Sequence, residues 1–274
     1  MTGAAIPVSS SWLALREPAD ARARSLELVD HLLAVRPGTE RWVIHDLACG
    51  TGSMGRWLAP LLPGAQRWVL HDRDEQLLQS AIADPPAASR DADAVTVEAR
   101  RTDITRLTPA DLADASLITA SALLDLMAAT ELESLVAVCA AVGCPVLFTI
   151  SVMGRVTLDP ADPLDAAVGD AFNAHQRRLT EAGRLLGPDA VAAAVEAFSR
   201  GAVHVLVRPS PWRLEAGQRE LTAAWLDGWV SAACDQDPLL RERAPVYLSR
   251  RLGQVAAGEL GVTVDHADLL AVPP

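Results

Sequence analysis

Two aspartates and a glycine turn carry most of the chemistry legible in this chain. Residues 41–55 read RWVIHDLACGTGSMG: an apolar run through Trp42, Val43 and Ile44 ends at Asp46, small residues follow (Ala48, Cys49, Gly50, Thr51, Gly52), and Ser53 opens a helical pattern. A buried strand that turns through glycines into a helix suits a nucleotide-like ligand, because glycine lets the backbone approach closely and adopt positive φ. Gly50, Gly52 and Gly55 also satisfy G-x-G-x-x-G, which invites a dinucleotide pyrophosphate at the helix N-terminus. A carboxylate at the strand end repels that anion; it suits a ligand with an ammonium group and no phosphate. Asp72 ends the next apolar run, at the spacing from which an acid reaches ribose hydroxyls.

D-L-A-C-G-T-G, Asp46 to Gly52, resembles the first motif of the class I S-adenosylmethionine-dependent methyltransferases, with Ala48 where that family usually has glycine. Residues 66–81 resemble the family's second strand and helix, with Asp72 at the strand end. Residues 94–104 resemble the third strand and the adenine-contacting acid, here Asp103 followed by Ile104. Residues 117–126 resemble the fourth strand and its exit loop. The resemblance covers the middle of the chain. It implies S-adenosyl-L-methionine as cofactor and S-adenosyl-L-homocysteine as product, with contacts from Asp46, Ala48, Gly50, Gly52, Asp72, Asp103, Ile104 and Ser121. It also implies a methyl group directed at Ser121, Leu124 and Asp125. Ahead of the first long helix, Trp12 and Arg16 are expected to close over the cofactor, with Arg16 meeting its carboxylate. Plainer roles stand beside these: Asp46 salt-bridged, Asp103 a solvated loop acid, Cys49 a packing residue, Arg16 solvated, and Asp74 the cap of the helix through Gln76, Leu77 and Leu78.

Methyl transfer from a sulfonium is an SN2 step, so the protein mainly aligns donor and acceptor. A base is needed only when the acceptor must lose a proton. His175, in the polar context Phe172-Asn173-Ala174-His175-Gln176, and Asp125, in an apolar stretch, are the catalytic candidates, with His71 behind them. The N/D-P-P-Y/F motif of enzymes that methylate nucleic-acid amines is absent from residues 119–126, and no His/Cys spacing predicts a metal. The reading is methyl transfer to a small molecule, expected in specialised metabolism. The alternatives are a nicotinamide-dependent oxidoreductase and a non-catalytic S-adenosylmethionine-binding subunit.

Composition narrows the partners. Lys and Arg number 24 against 35 Asp and Glu, a net charge of −11, and every basic residue is arginine. Such a surface disfavours nucleic acid, which needs clustered cations, and the missing lysine excludes Schiff-base chemistry. No apolar run is long enough for a transmembrane helix and the start has no basic leader. Four cysteines without C-x-x-C spacing read as reduced thiols. These features predict a cytoplasmic protein away from membranes, as a monomer or homodimer.

Strand and helix patterns alternate from residue 41. Strands are expected near 42–46, 68–71, 94–99, 117–120, 146–150, 203–207 and 262–272. Helical stripes fall at Leu26, Val29 and Leu33 (stopped by Pro37-Gly38), at Met54, Trp57, Leu58 and Leu61, and at Leu221, Trp225 and Trp229, while Thr130 and Glu133 read as a capping box. The fold class is α/β: a Rossmann-like, doubly wound, mostly parallel seven-stranded sheet with helices on both faces. The expected division is an N-terminal helical cap over residues 1–40 and a methyltransferase domain over 41–274. An insertion at about 151–190 is expected to cover the ligand crevice.

Overall fold

The computed structural model describes residues 9–36, 41–201 and 203–274; the chain start and the expected Pro37-Gly38 helix stop lie outside the described residues. In chain order the elements are α1 (Ser10–Ala23), α2 (Leu26–Val35), β1 (Arg41–Leu47), α3 (Ser53–Leu58), β2 (Ala65–Asp72), α4 (Glu75–Ala83), β3 (Val95–Arg101), β4 (Leu117–Ser121), α5 (Ala129–Val142) and β5 (Val146–Asp159). They continue with α6 (Asp165–Gln176), the short hairpin β6 (Leu179–Thr180) and β7 (Gly183–Arg184), α7 (Ala190–Ser199), β8 (His204–Pro209), β9 (Trp212–Leu214), α8 (Arg219–Gln236), α9 (Ala244–Ala257) and β10 (Gly261–Val272).

The main sheet has the order β3-β2-β1-β4-β5-β10-β8, with β9 paired to β10 off this path. Strands β1 to β5 pair in parallel, and β10 runs antiparallel to β5, β8 and β9. Period-two side-chain alternation decides the faces. Leu117, Leu147 and Leu270 join Leu28, Leu32, Met54, Leu58 and Leu78 in one apolar cluster. Their strand neighbours Ile118, Phe148 and Leu269 join Leu132, Leu135, Val136 and Phe198 in another. Helices α2 to α4 therefore cover one face and α5 and α7 the other. The switch in strand order lies between β1 and β4, the crevice where open α/β sheets bind ligands.

A third cluster builds a cap. Trp212 and Leu214 of β9, Leu221, Trp225 and Trp229 of α8, Tyr247 and Val255 of α9, Leu158 of β5 and Ala19 of α1 pack together. The stripe through Leu221, Trp225 and Trp229 is core, and the last two rings stack at 5.0 Å. Removing a buried ring such as Trp229 should cost about 3–5 kcal/mol.

Several local readings change. The buried face of α2 is Leu28, Val29 and Leu32, while Leu26 is 58% exposed; the helical period was right and its phase was not. Helix α5 starts at Ala129, so Glu131, not Glu133, returns to the cap, accepting the Ala128 N–H at 2.9 Å. Pro60 ends α3 early and the chain continues as a 3-10 turn over Ala59–Leu61, because proline lacks the donor a helix interior requires. Residues 151–159, expected in the insertion, prolong β5; α6 begins only at Asp165, and α8 and α9 complete the cap.

One residue before each key aspartate, β1 and β2 carry a buried polar pair. His45 Nδ1 lies 2.9 Å from His71 Nε2, His45 Nε2 lies 3.0 Å from Asp114, and His71 Nδ1 lies 3.2 Å from Thr102 Oγ1. Burial lowers the pKa of His45 and brings that of His71 down to about 4, so both rings are neutral at pH 7. Among the described residues no helix is long and apolar enough to cross a membrane.

Candidate active site

The ends of β1, β2 and β4 meet at the glycine loop. Ala48, Gly50 and Gly52 take φ of 50, 57 and 84°; a left-handed alanine at 48 is costly where glycine is free. The Cys49 N–H donates to the His71 carbonyl at 3.0 Å, and the Gly52 N–H donates to the Cys49 carbonyl at 2.9 Å. A Cβ on Gly50 would stand 3.0 Å from Leu13 Cδ1, and one on Gly52 would stand 3.3 Å from Ala81. A Cβ on Gly55 would meet Pro86 and Trp68, so the third glycine of the pattern serves helix–strand packing.

Asp46 is fully buried. Its Oδ1 accepts the Thr119 hydroxyl at 2.7 Å, and its Oδ2 has no hydrogen-bond partner. Burial raises its pKa to about 7, against the opposing pull of Thr119 and Arg24. Asp72, 8% exposed, uses both oxygens on backbone: Oδ2 accepts the Gly50 N–H and Oδ1 the Asp74 N–H, each at 2.9 Å. Asp74 caps α4 through the N–H groups of Gln76 and Leu77.

Helix α1 lies against this loop and presents Arg16 and Asp20 one turn apart, with Arg24 as the residue that ends it. Arg16 pairs with Asp20 at 2.9 Å and lies 5.0 Å over the Trp212 ring. Asp20 also accepts the Trp212 indole N–H at 2.9 Å. Arg24, 3% exposed, donates to the Ser53 carbonyl and hydroxyl and to the Ser121 hydroxyl, the last at 3.0 Å, while its Nε has no partner. Sequence reading named Arg16, which lines the cavity, and did not consider Arg24, which no local pattern marks. Arg56 holds α1 from the other side, with Nε and Nη2 on the Glu17 carboxylate at 2.6 and 2.5 Å.

Leu13, Arg16, Asp20, Asp46, Ala48, Cys49, Gly50, Thr51, Ser53, Met54, Ser121 and Ala122 line one cavity of about 50 Å³. Sites for whole small molecules measure roughly 300–1,000 Å³, so this space takes only the end of a ligand while Leu13 rests on Gly50. What that end must be follows from the groups left over. Asp46 Oδ2, unpartnered in the lining, asks for a cation; the unpartnered Arg24 Nε belongs to a side chain that does not itself line the cavity but sits behind Ser53 and Ser121, and asks for an acceptor. A zwitterionic amino-acid end satisfies both, and S-adenosylmethionine carries one.

On the far side of Ser121 the β4 exit loop turns through Ala122 (φ 52°) into a 3-10 turn over Leu124–Leu126. Asp125 there is half-buried; burial raises its carboxyl to about 6, opposed by Arg16 and Arg178. His175, near the end of α6, is also half-buried. Burial and the Arg178 charge lower its pKa, opposed by Asp235, so its imidazole is neutral at pH 7. Both catalytic candidates thus lie within the field of one arginine.

The other expected residues have different immediate roles. Asp103 is exposed and caps the turn over Ile104–Arg106, accepting the Thr105 N–H and hydroxyl at 3.1 and 2.7 Å. Ile104 packs beside the α5 cluster, and Trp12 stands 6.4 Å from Trp212 in the cap. None of the three lines the cavity. The histidine behind the two catalytic candidates, His71, has both ring nitrogens engaged inside the sheet. Burial and the neighbouring Asp46 and Asp72 drive the Cys49 thiol upward, so it stays protonated.

No protein-family model and no curated protein matches the chain. Its fold is shared with a cyclopropane synthase from Mycobacterium tuberculosis, 14% identical, over 96% of this chain and 94% of that one, with a TM-score of 0.51. Two further structures resemble it at lower scores. A geranyl diphosphate C-methyltransferase from Streptomyces coelicolor A3(2) is 13% identical, covering 98% and 88% of the two chains at a TM-score of 0.47. An S-adenosylmethionine-dependent methyltransferase from Geobacter sulfurreducens is 14% identical, covering 98% and 99% at 0.45. The Rossmann-like α/β fold expected from the sequence is the fold of this chain.

Proposed function

We propose that this chain is an S-adenosylmethionine-dependent methyltransferase acting on a small molecule. The observation that carries the reading is a pair of buried polar atoms at the glycine loop without hydrogen-bond partners, Asp46 Oδ2 and Arg24 Nε. An amino-acid end set between them would place its ammonium on Asp46 and its carboxylate toward Arg24, Ser53 and Ser121. A nicotinamide dinucleotide would instead bring phosphates against the loop beside Asp46, the wrong sign for the site. The ribose would fall toward Asp72 and the adenine toward Asp103 and Ile104, past the end of β3.

Bound there, the cofactor supplies an electrophilic methyl group. The chain's part is to align the acceptor and exclude water. Asp125 and His175 flank the acceptor side. His175, neutral at pH 7, can take a proton from a hydroxyl or an activated carbon. Asp125, its carboxyl raised to about 6 and so still mostly ionised at pH 7, can orient the acceptor by accepting a hydrogen bond.

Equilibrium dialysis with methyl-labelled S-adenosylmethionine tests the reading. Removing a hydrogen bond between charged groups costs about 1.5–3 kcal/mol, so Asp46→Asn should bind at least about tenfold more weakly than the wild type. Equal affinity in a folded Asp46→Asn protein would remove Asp46 from the site and with it the basis of the assignment.

A further inference from the structure

Near Asp125 lies a cation that forms no ion pair among the described residues. Arg178 follows α6 and is half-buried. Among the described residues no carboxylate lies within ion-pair distance of it, whereas its neighbour Arg177 is held by Asp189 at 2.6 and 2.8 Å. Its one side-chain hydrogen bond, from Nη1 to the His175 carbonyl at 3.3 Å, leaves most of the guanidinium fork unused.

The backbone fixes where this fork sits. The Leu185 N–H donates to the Arg178 carbonyl at 3.1 Å, and Leu185 bridges to Ala128. The Leu186 N–H donates to the Met127 carbonyl at 2.9 Å. The β6–β7 hairpin is thereby stitched to the β4 exit loop, and Arg178 stands across from Asp125 with His175 on its own segment. The residues that follow Asp125 and Arg178 in sequence are apolar and open to solvent: Leu126 is 51% exposed and Leu179 is 76% exposed. Arg16, whose charge also acts on Asp125, is occupied by Asp20.

We propose that Arg178 is the acceptor-recognition residue, and that the methyl acceptor is a small molecule with an anionic oxygen group, a carboxylate or a phosphate, on an apolar body. The inference rests on the methyltransferase reading and adds to it the class of substrate. A planar fork with free donors matches two anionic oxygens. A partly buried charge without a partner is unfavourable alone and favours a ligand that supplies one. Leu126 and Leu179 offer the body an apolar rim, and a group held at Arg178 sets the acceptor beside Asp125 and His175.

The test uses the full chain saturated with S-adenosylhomocysteine. The probes are benzoate and phenyl phosphate, with benzamide as neutral control, titrated at fixed pH and ionic strength. Wild type is expected to prefer the anions over benzamide by about tenfold, Arg178→Gln to lose that preference, and Arg178→Lys to fall between, since it keeps charge without the fork. Which anion binds more tightly separates carboxylate from phosphate acceptors. Absence of anion preference in the wild type, or an unchanged preference in Arg178→Gln, overturns the proposal. A second readout stands apart from the cofactor: benzoate should protect Arg178 from phenylglyoxal, followed by mass spectrometry without nucleotide. Loss of S-adenosylhomocysteine binding with that protection intact would fault the cofactor reading and leave the anion site standing.

Discussion

Asp72, the last residue of β2, accepts the N–H of Gly50 at 2.9 Å across the crevice from β1. The acid expected to hold a ribose therefore also holds the glycine loop in its left-handed shape, with its second oxygen on the Asp74 N–H. Asp72→Ala removes both functions. Its affinity for S-adenosylhomocysteine is expected to fall by about 1–3 kcal/mol, measured by calorimetry. Asp72→Asn, which keeps one acceptor oxygen for Gly50, should lose less. Equal losses in the two variants would show that loop shaping contributes nothing.

Ligand binding should release a proton from Asp46. Its carboxyl titrates at about 7 because burial penalises the charge. An ammonium in contact favours the ionised form and lowers that pKa. At pH 7 roughly half of the free protein carries this proton, so up to about half a proton per site leaves on binding. The sign fixes the pH dependence: affinity rises as pH rises through 7, where deprotonating Asp46 no longer opposes binding. Calorimetry in buffers of different ionisation enthalpy reads the release. Buffer-independent heats at pH 7 would contradict it.

Leu13 over Gly50 and Glu17 on Arg56 hold α1 against the loop. The cavity beneath is too small for a whole nucleoside, so α1 must shift for the ligand to enter. The Glu17–Arg56 pair is partly exposed, and such pairs are worth up to about 1 kcal/mol. Glu17→Gln should therefore raise the association rate for S-adenosylhomocysteine by up to about fivefold, followed by stopped-flow tryptophan fluorescence. An unchanged rate would show that α1 does not gate access.

The sheet was legible because each buried strand announces itself as an apolar run ending at a turn. β1, β2 and β4 were placed within a few residues, and the loop from Asp46 to Gly52 was read in full. The Asp74 cap was legible for the same reason: one acid closely preceding a helical stripe. What escaped was long-range. Nothing local marks Arg24 as buried, because its partners Ser53 and Ser121 lie 29 and 97 residues away. The continuation of β5 to Asp159 depends on its pairing with the distant β10, which no local pattern states. The place of Arg178 likewise depends on the hairpin being stitched to Ala128. The third cluster escaped in part because α8 and α9 come from the segment between β8 and β10, far in sequence from Leu158 of β5 and Ala19 of α1, with which they pack.

The central claim is that the glycine loop holds a zwitterionic sulfur nucleotide. Calorimetric titration of the purified protein with S-adenosylmethionine, S-adenosylhomocysteine, NADH and NADPH tests it most directly. The account predicts saturable micromolar binding of the two sulfur nucleotides and none of the nicotinamide cofactors. Binding of NADH or NADPH in their place would contradict it and make Gly50 and Gly52 a pyrophosphate loop.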